Sequence, residues 1–170
     1  MKSFTQHLME FDWPQIYCDM DGVLADFTKF TSERLGQKFT DELWGELPTD
    51  LFLQLPPMPD AHKLWAYIST FDPFMLTAVP RESRGPIARR AAQDKVRWMQ
   101  KHFGVSADRI YTLKRKNKKN FAKDGRDGRP NLLIDDHKGN TDEFVRAGGL
   151  AVLHTSASST IRQLKKIGYP

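Results

Sequence analysis

Cysteine is nearly absent: Cys18 is the one thiol in 170 residues. A single thiol closes no intramolecular disulfide, which excludes a disulfide-stapled secreted domain and fits a reducing cytoplasm. Long apolar runs are missing too. No stretch approaches the roughly 18 residues that a membrane helix needs, so no membrane partner is expected. The opening Met1-Lys2-Ser3-Phe4-Thr5-Gln6-His7 carries no apolar core of the signal-peptide kind, so the expected location is cytoplasmic. Internal repeats are lacking, and the only biased tract is one basic run. What is left is an ordinary soluble composition, 39% hydrophobic and 28% charged, long enough for one compact domain with a sizeable core.

The net charge of +5 is concentrated rather than spread. Lys114-Arg115-Lys116-Asn117-Lys118-Lys119 holds five cations, and the rest of the chain is close to neutral. A local patch of this kind says more than a global isoelectric point about where an anion docks.

The chain is organised around Ile16-Tyr17-Cys18-Asp19-Met20-Asp21-Gly22-Val23-Leu24-Ala25-Asp26-Phe27. A short apolar run reads as a strand, and a strand sends residues i and i+2 to the same face. Asp19 and Asp21 therefore emerge together where the strand ends, and Gly22 permits the turn. Two such carboxylates repel each other, so a hard divalent cation, commonly magnesium, is the natural occupant between them. A plain polar turn is the competing reading of the tetrapeptide. A calcium-binding EF-hand loop is not, because its sixth and twelfth positions fall on Leu24 and Phe30 instead of Gly and Glu. Cys18, inside the strand, reads as a small core residue rather than a nucleophile.

Further strands are expected at 74–77, 109–113, 131–134 and 150–154 beside the first at 16–19. Helices are expected at 27–35, from Asp60 through Ile68, at 86–102, 140–146 and 158–167. Residues 1–13 read as an arm, and 27–70 as a helical insertion containing Phe27, Phe30, Trp44, Phe52 and Trp65. Those aromatics are mainly its core, with one or two available to stack on a base. Alternating strands and amphipathic helices predict an α/β fold, a Rossmann-like parallel sheet covered on both faces. Ligands in such sheets bind beyond the carboxyl ends of the strands, where Asp19, Thr77 and the pair Asp135-Asp136 all fall. His137 and His154 follow strand ends and read as rim residues, and Asp26 as a cap for the insertion's first helix.

Asp19-Met20-Asp21-Gly22-Val23-Leu24-Ala25-Asp26 resembles the first motif of the haloacid dehalogenase superfamily of phosphohydrolases, and within it the 5′-nucleotidases and 5′(3′)-deoxyribonucleotidases. Thr77, closing Phe74-Met75-Leu76-Thr77, matches the second motif. A lysine in 114–119 matches the third, and Leu132-Leu133-Ile134-Asp135-Asp136 the fourth. Four motifs in order, each after a strand, make a far more specific signal than any one alone.

The resemblance implies a core over 1–26 and 71–170 with a small helical cap over 27–70. It implies a magnesium-dependent phosphomonoesterase acting on nucleoside or deoxynucleoside 5′-monophosphates. Asp19 would attack phosphorus and form an aspartyl-phosphate, and Asp21 would serve as acid and then base. Thr77 and the backbone around Ala78 would hold phosphate oxygens beside a lysine. Lys118 fits the spacing best, with Lys114, Lys116 and Lys119 open. Magnesium would be held by Asp19, the Asp21 carbonyl and the Asp135-Asp136 pair, either of which could bind directly. The cap would contact base or sugar. A phosphatase of nucleic-acid ends is the alternative that the basic run favours, and a binding protein that keeps the scaffold without the chemistry is a weaker one.

Overall fold

A computed structural model of the chain describes residues 13–125 and 127–170. The arm expected over 1–13 lies, except for Trp13, outside the described residues. Short apolar runs form β1 (Ile16–Cys18), β2 (Phe74–Ala78), β3 (Ile110–Leu113), β4 (Leu132–Asp135) and β5 (Leu150–Leu153). They join one sheet in the order β3-β2-β1-β4-β5, every neighbouring pair parallel. Tyr17 stands opposite Phe74 on one side and Leu133 on the other. After β1 the chain builds β2 and β3 outward on one side, then returns to lay β4 and β5 on the other. The reversal leaves a crevice beyond the end of β1, where open α/β sheets bind ligands.

Helices α1 (Phe27–Leu35), α2 (Leu51–Gln54), α3 (Ala61–Ile68), α4 (Pro86–Phe103), α5 (Lys138–Arg146) and α6 (Ala157–Ile167) surround the sheet. The two-residue period of the strands decides which helices each face meets. Ile16, Cys18, Met75, Leu132, Ile134 and Val152 share a buried cluster with Ile87, Ala91 and Trp98 of α4, Leu64 and Ile68 of α3, and Leu164 of α6. The other face puts Leu76 and Leu133 against Ala122 and Phe144.

Between β1 and β2 the chain is helical, as expected, and Leu47, Leu51, Phe52 and Leu55 of this stretch join the larger cluster. The Asp26 carboxylate accepts from Lys29 N at 3.2 Å and caps α1. Asp60 departs from expectation. It makes no capping bond to α3 and instead accepts from Ala157 N, 2.6 Å away, at the start of α6. The first amides of any helix lack intrahelical partners, and Asp60 supplies one to a helix 97 residues further on. His154 also departs from expectation. It is buried rather than at the rim, with Nδ1 2.7 Å from Thr160 Oγ1. No described helix is long and apolar enough to cross a membrane.

Candidate functional site

The stretch after β1 is a tight loop. Met20 O accepts from Leu24 N at 2.8 Å and Ala25 N at 2.9 Å, and Gly22 N donates to Ala25 O at 2.9 Å. Gly22 has φ 79°, and a Cβ there would fall on the Asp136 carboxylate, so this turn needs glycine on two counts. Asp26 N to Pro56 O and Met58 N to Leu24 O, each 2.8 Å, stitch the loop to the far end of the insertion.

Side-chain alternation then sorts the polar groups to the two faces. Asp135 shares the face of Leu133. Its Oδ1 accepts from His137 N at 2.8 Å, and Asn140 Nδ2 reaches both oxygens, at 3.2 and 3.0 Å. Lys118 comes from the short 3-10 helix Arg115–Phe121 on that face and is almost fully buried. Its ammonium lies 2.7 Å from Asp135 Oδ2 and 3.0 Å from Asp19 Oδ1. Burial opposes its charge, but Asp19 and Asp135 outweigh that and hold its pKa above the ordinary value. Asp19 Oδ1 also accepts from Met20 N at 2.8 Å. Oδ1 is thus occupied twice, and among the described residues no donor takes Oδ2.

Thr77 shares the face of Met75 and points toward α4, from which Lys95 enters completely buried. Lys95 Nζ donates to Asp21 Oδ2 at 2.5 Å, Thr77 Oγ1 at 2.9 Å and Ala78 O at 2.7 Å. The two lysines thus reach the carboxylates from opposite faces of the sheet.

Carboxylate oxygens of Asp19, Asp135 and Asp136 lie within 4.8 Å of one another. Burial, then the charge of Asp135, raises Asp19 to about 7 even with Lys118 adjacent, and raises Asp136 to about 6. Four carboxylates against two ammonium groups leave an excess of two negative charges when all are ionised. Hard oxygen donors, crowded like charges and that excess fit one divalent cation of the magnesium kind. Beside this cluster, Asp21 Oδ1 is closed to water and has no hydrogen-bond partner in the protein alone.

The fold has solved relatives. A crystal structure of a hydrolase from Streptococcus pneumoniae TIGR4 is similar at TM-score 0.52 and 12% identity, over 91% of this chain and 98% of that one. A candidate beta-phosphoglucomutase from Thermotoga maritima aligns at TM-score 0.48 and 13% identity, over 91% and 99%. No family model and no curated protein sequence matches the chain. At such identities the first likeness speaks for the fold alone: a Rossmann-like parallel α/β core, as the motif resemblance implies.

Asp19, Asp21, Thr77, Lys118, Asp135 and Asp136 converge at one end of the sheet. Lys118 is the buried lysine of its run, whereas Lys114, Arg115, Lys116 and Lys119 are exposed. Asp135 is fully engaged by Lys118, His137 N and Asn140, and Asp136 is the more open of the pair. Asp21 Oδ2 turns to Lys95, and Asp21 stands outside the cluster of three carboxylates. Ala78 contributes its carbonyl to Lys95. Sequence reasoning missed Lys95 and Asn140. Lys95 had a signal: with Ile87, Ala91 and Met99 it falls every fourth residue along the buried stripe of α4.

Proposed function

We propose that the chain is a magnesium-dependent phosphomonoesterase acting on nucleoside or deoxynucleoside 5′-monophosphates through an aspartyl-phosphate. The observation that carries this reading is Asp19, a carboxylate just beyond the end of the central strand β1 whose Oδ1 is fixed by Met20 N and Lys118, leaving Oδ2 for phosphorus. That oxygen attacks, the P–O ester bond breaks, and the leaving alkoxide takes a proton from Asp21. A water then attacks the phosphoryl group, Asp21 takes its proton, and the bond from Asp19 to phosphorus breaks. Asp19, the Asp21 carbonyl and Asp136, with Asp135 behind them, would hold magnesium, which offsets the phosphate charge and polarises its P–O bonds. Lys118 balances the remaining charge, and the Thr77 hydroxyl and backbone near Ala78 bind phosphate oxygens.

The reading treats 27–70 as a cap on the core of 1–26 and 71–170, and gives it the base and sugar. Phe27, Phe39, Trp44 and Phe52 pack on one another there, and the Phe52 ring centre is 4.4 Å from Lys95 Nζ. Phe52 is buried, and the partly exposed rings of Phe27, Phe39 and Trp44 are the ones left to meet a nucleobase. Exposed Lys114, Arg115 and Lys116, on the segment that delivers Lys118, favour a second reading, the phosphorylated end of a nucleic acid.

The test is phosphate release from nucleotides, sugar phosphates and end-phosphorylated oligonucleotides, with magnesium and after chelation. Nucleoside 5′-monophosphates are expected to lead, and EDTA to stop turnover. Asp19→Asn is expected to abolish turnover with the circular dichroism unchanged. Activity above a few per cent of wild type in that variant overturns the covalent route.

A further inference from the structure

Lys95 belongs to none of the four motifs, yet it is more deeply enclosed than any other cation near the site. It is also held still. Its ammonium nitrogen lies over the Phe52 ring, and one turn along α4 the Trp98 indole donates to Leu55 O at 2.7 Å. An ammonium has three N–H donors and no acceptor. Its three neighbours, Asp21 Oδ2, Thr77 Oγ1 and Ala78 O, are all acceptors toward it and take all three protons. Thr77 Oγ1 therefore accepts, and its own hydrogen is directed elsewhere. The Asp21 side chain keeps 26% of its surface open while Lys95 anchors it from below.

We infer that Lys95 is a positioning residue for phosphoryl transfer, acting through Asp21 and Thr77. It turns the Thr77 hydroxyl into a donor for a phosphate oxygen and fixes the Asp21 carboxyl where the ester oxygen leaves. The inference rests on the phosphomonoesterase reading and deepens it, because the leaving group is the part of the substrate that Lys95 governs. Esters of poor leaving groups, the alkyl alcohols, need the proton from Asp21. Esters of p-nitrophenol leave without it.

That difference separates positioning from simple structural support. The comparison is kcat/KM, which reports transfer to Asp19, on p-nitrophenyl phosphate and on a nucleoside 5′-monophosphate or another alkyl phosphate that the wild type hydrolyses. Lys95→Met keeps the stem and removes the donors. It is expected to lower kcat/KM on the alkyl ester by about 100-fold or more, and on the aryl ester by less than about 10-fold. Lys95→Gln, which keeps an amide donor, is read the same way and serves if Lys95→Met does not fold. Thr77→Val supplies the second arm. It is expected to cost much less on the aryl ester in the Lys95→Met background than in the wild type, because two residues acting through one contact are not additive. Equal losses on both esters, or additive effects of the two substitutions, overturn the inference and leave the phosphatase reading standing. A wild type that hydrolyses neither ester overturns both.

Discussion

Gly22 and the carboxylates around it set two expectations at the scale of single residues. Gly22→Ala places a Cβ at φ 79° against Asp136. The backbone cost alone is about 1–2 kcal/mol, and the displaced carboxylate belongs to the cluster of Asp19, Asp135 and Asp136. Denaturant unfolding is expected to register that loss, and magnesium to stabilise the variant less than the wild type. An equal magnesium response in the variant would contradict this role for Asp136.

The second expectation concerns pH. Asp19 at about 7 and Asp136 at about 6 both lie above their ordinary value of 3.8. The folded chain therefore holds more protons than the unfolded chain between about pH 4 and 7, and the metal-free protein loses stability as pH rises through that window. A cation needs the ionised carboxylates, so its stabilising effect grows over the same window. The rise in thermal midpoint on adding magnesium is expected to be larger at pH 8 than at pH 5.5. Equal rises would show that these carboxylates do not hold the ion. The aspartates were legible in the sequence because each follows an apolar run. Lys95 was not, because a lysine in a helix reads as solvated unless its place on the apolar stripe is given more weight than its charge.

Among the elements, strands were the most legible, each lying within one residue of its expected ends, because β-branched and other apolar runs between turn residues have few other uses. Partnerships between elements were less so. Asp60 stands one residue before α3, where a local rule makes it that helix's cap, yet its carboxylate serves α6. Sequence spacing reports neighbours along the chain and carries no signal for a contact 97 residues away. The structure thereby ties residues 27–70 to the rest of the chain at one more place besides the Pro56 and Met58 backbone bonds and the bond from Trp98 to Leu55 O. Asp60→Ala is expected to cost about 0.5–2 kcal/mol, the usual worth of a helix cap. Amide exchange is expected to quicken in the first turn of α6 and not in that of α3. Faster exchange confined to α3 would restore the local reading.

At the scale of the whole molecule, the question is why a chain with a net charge of +5 builds a negatively charged centre. Lys118 is drawn from the basic run into the site, while Lys114, Arg115, Lys116 and Lys119 stay at the surface. If the substrate is a mononucleotide, the surface charges only raise the local concentration of anions. Replacing Lys114, Arg115 and Lys116 with neutral residues then changes turnover little, and salt matters little. If the substrate is a polynucleotide end, those side chains meet neighbouring phosphates. Affinity then falls with the logarithm of salt concentration, by a slope near −0.7 for each phosphate contacted on a single strand. The triple variant loses part of that slope, since each contact carries its own released counterions. The mononucleotide outcome is expected, because under the proposed function one buried lysine, Lys118, already serves the phosphate and the exposed run makes no demand for a second partner. Wild type and triple variant, compared across a salt series on a nucleoside 5′-monophosphate and on a 5′-phosphorylated oligonucleotide, decide the matter. Strong oligonucleotide turnover that collapses in the variant, beside negligible mononucleotide turnover, would reverse the assignment of substrate while leaving the chemistry at Asp19 unchanged.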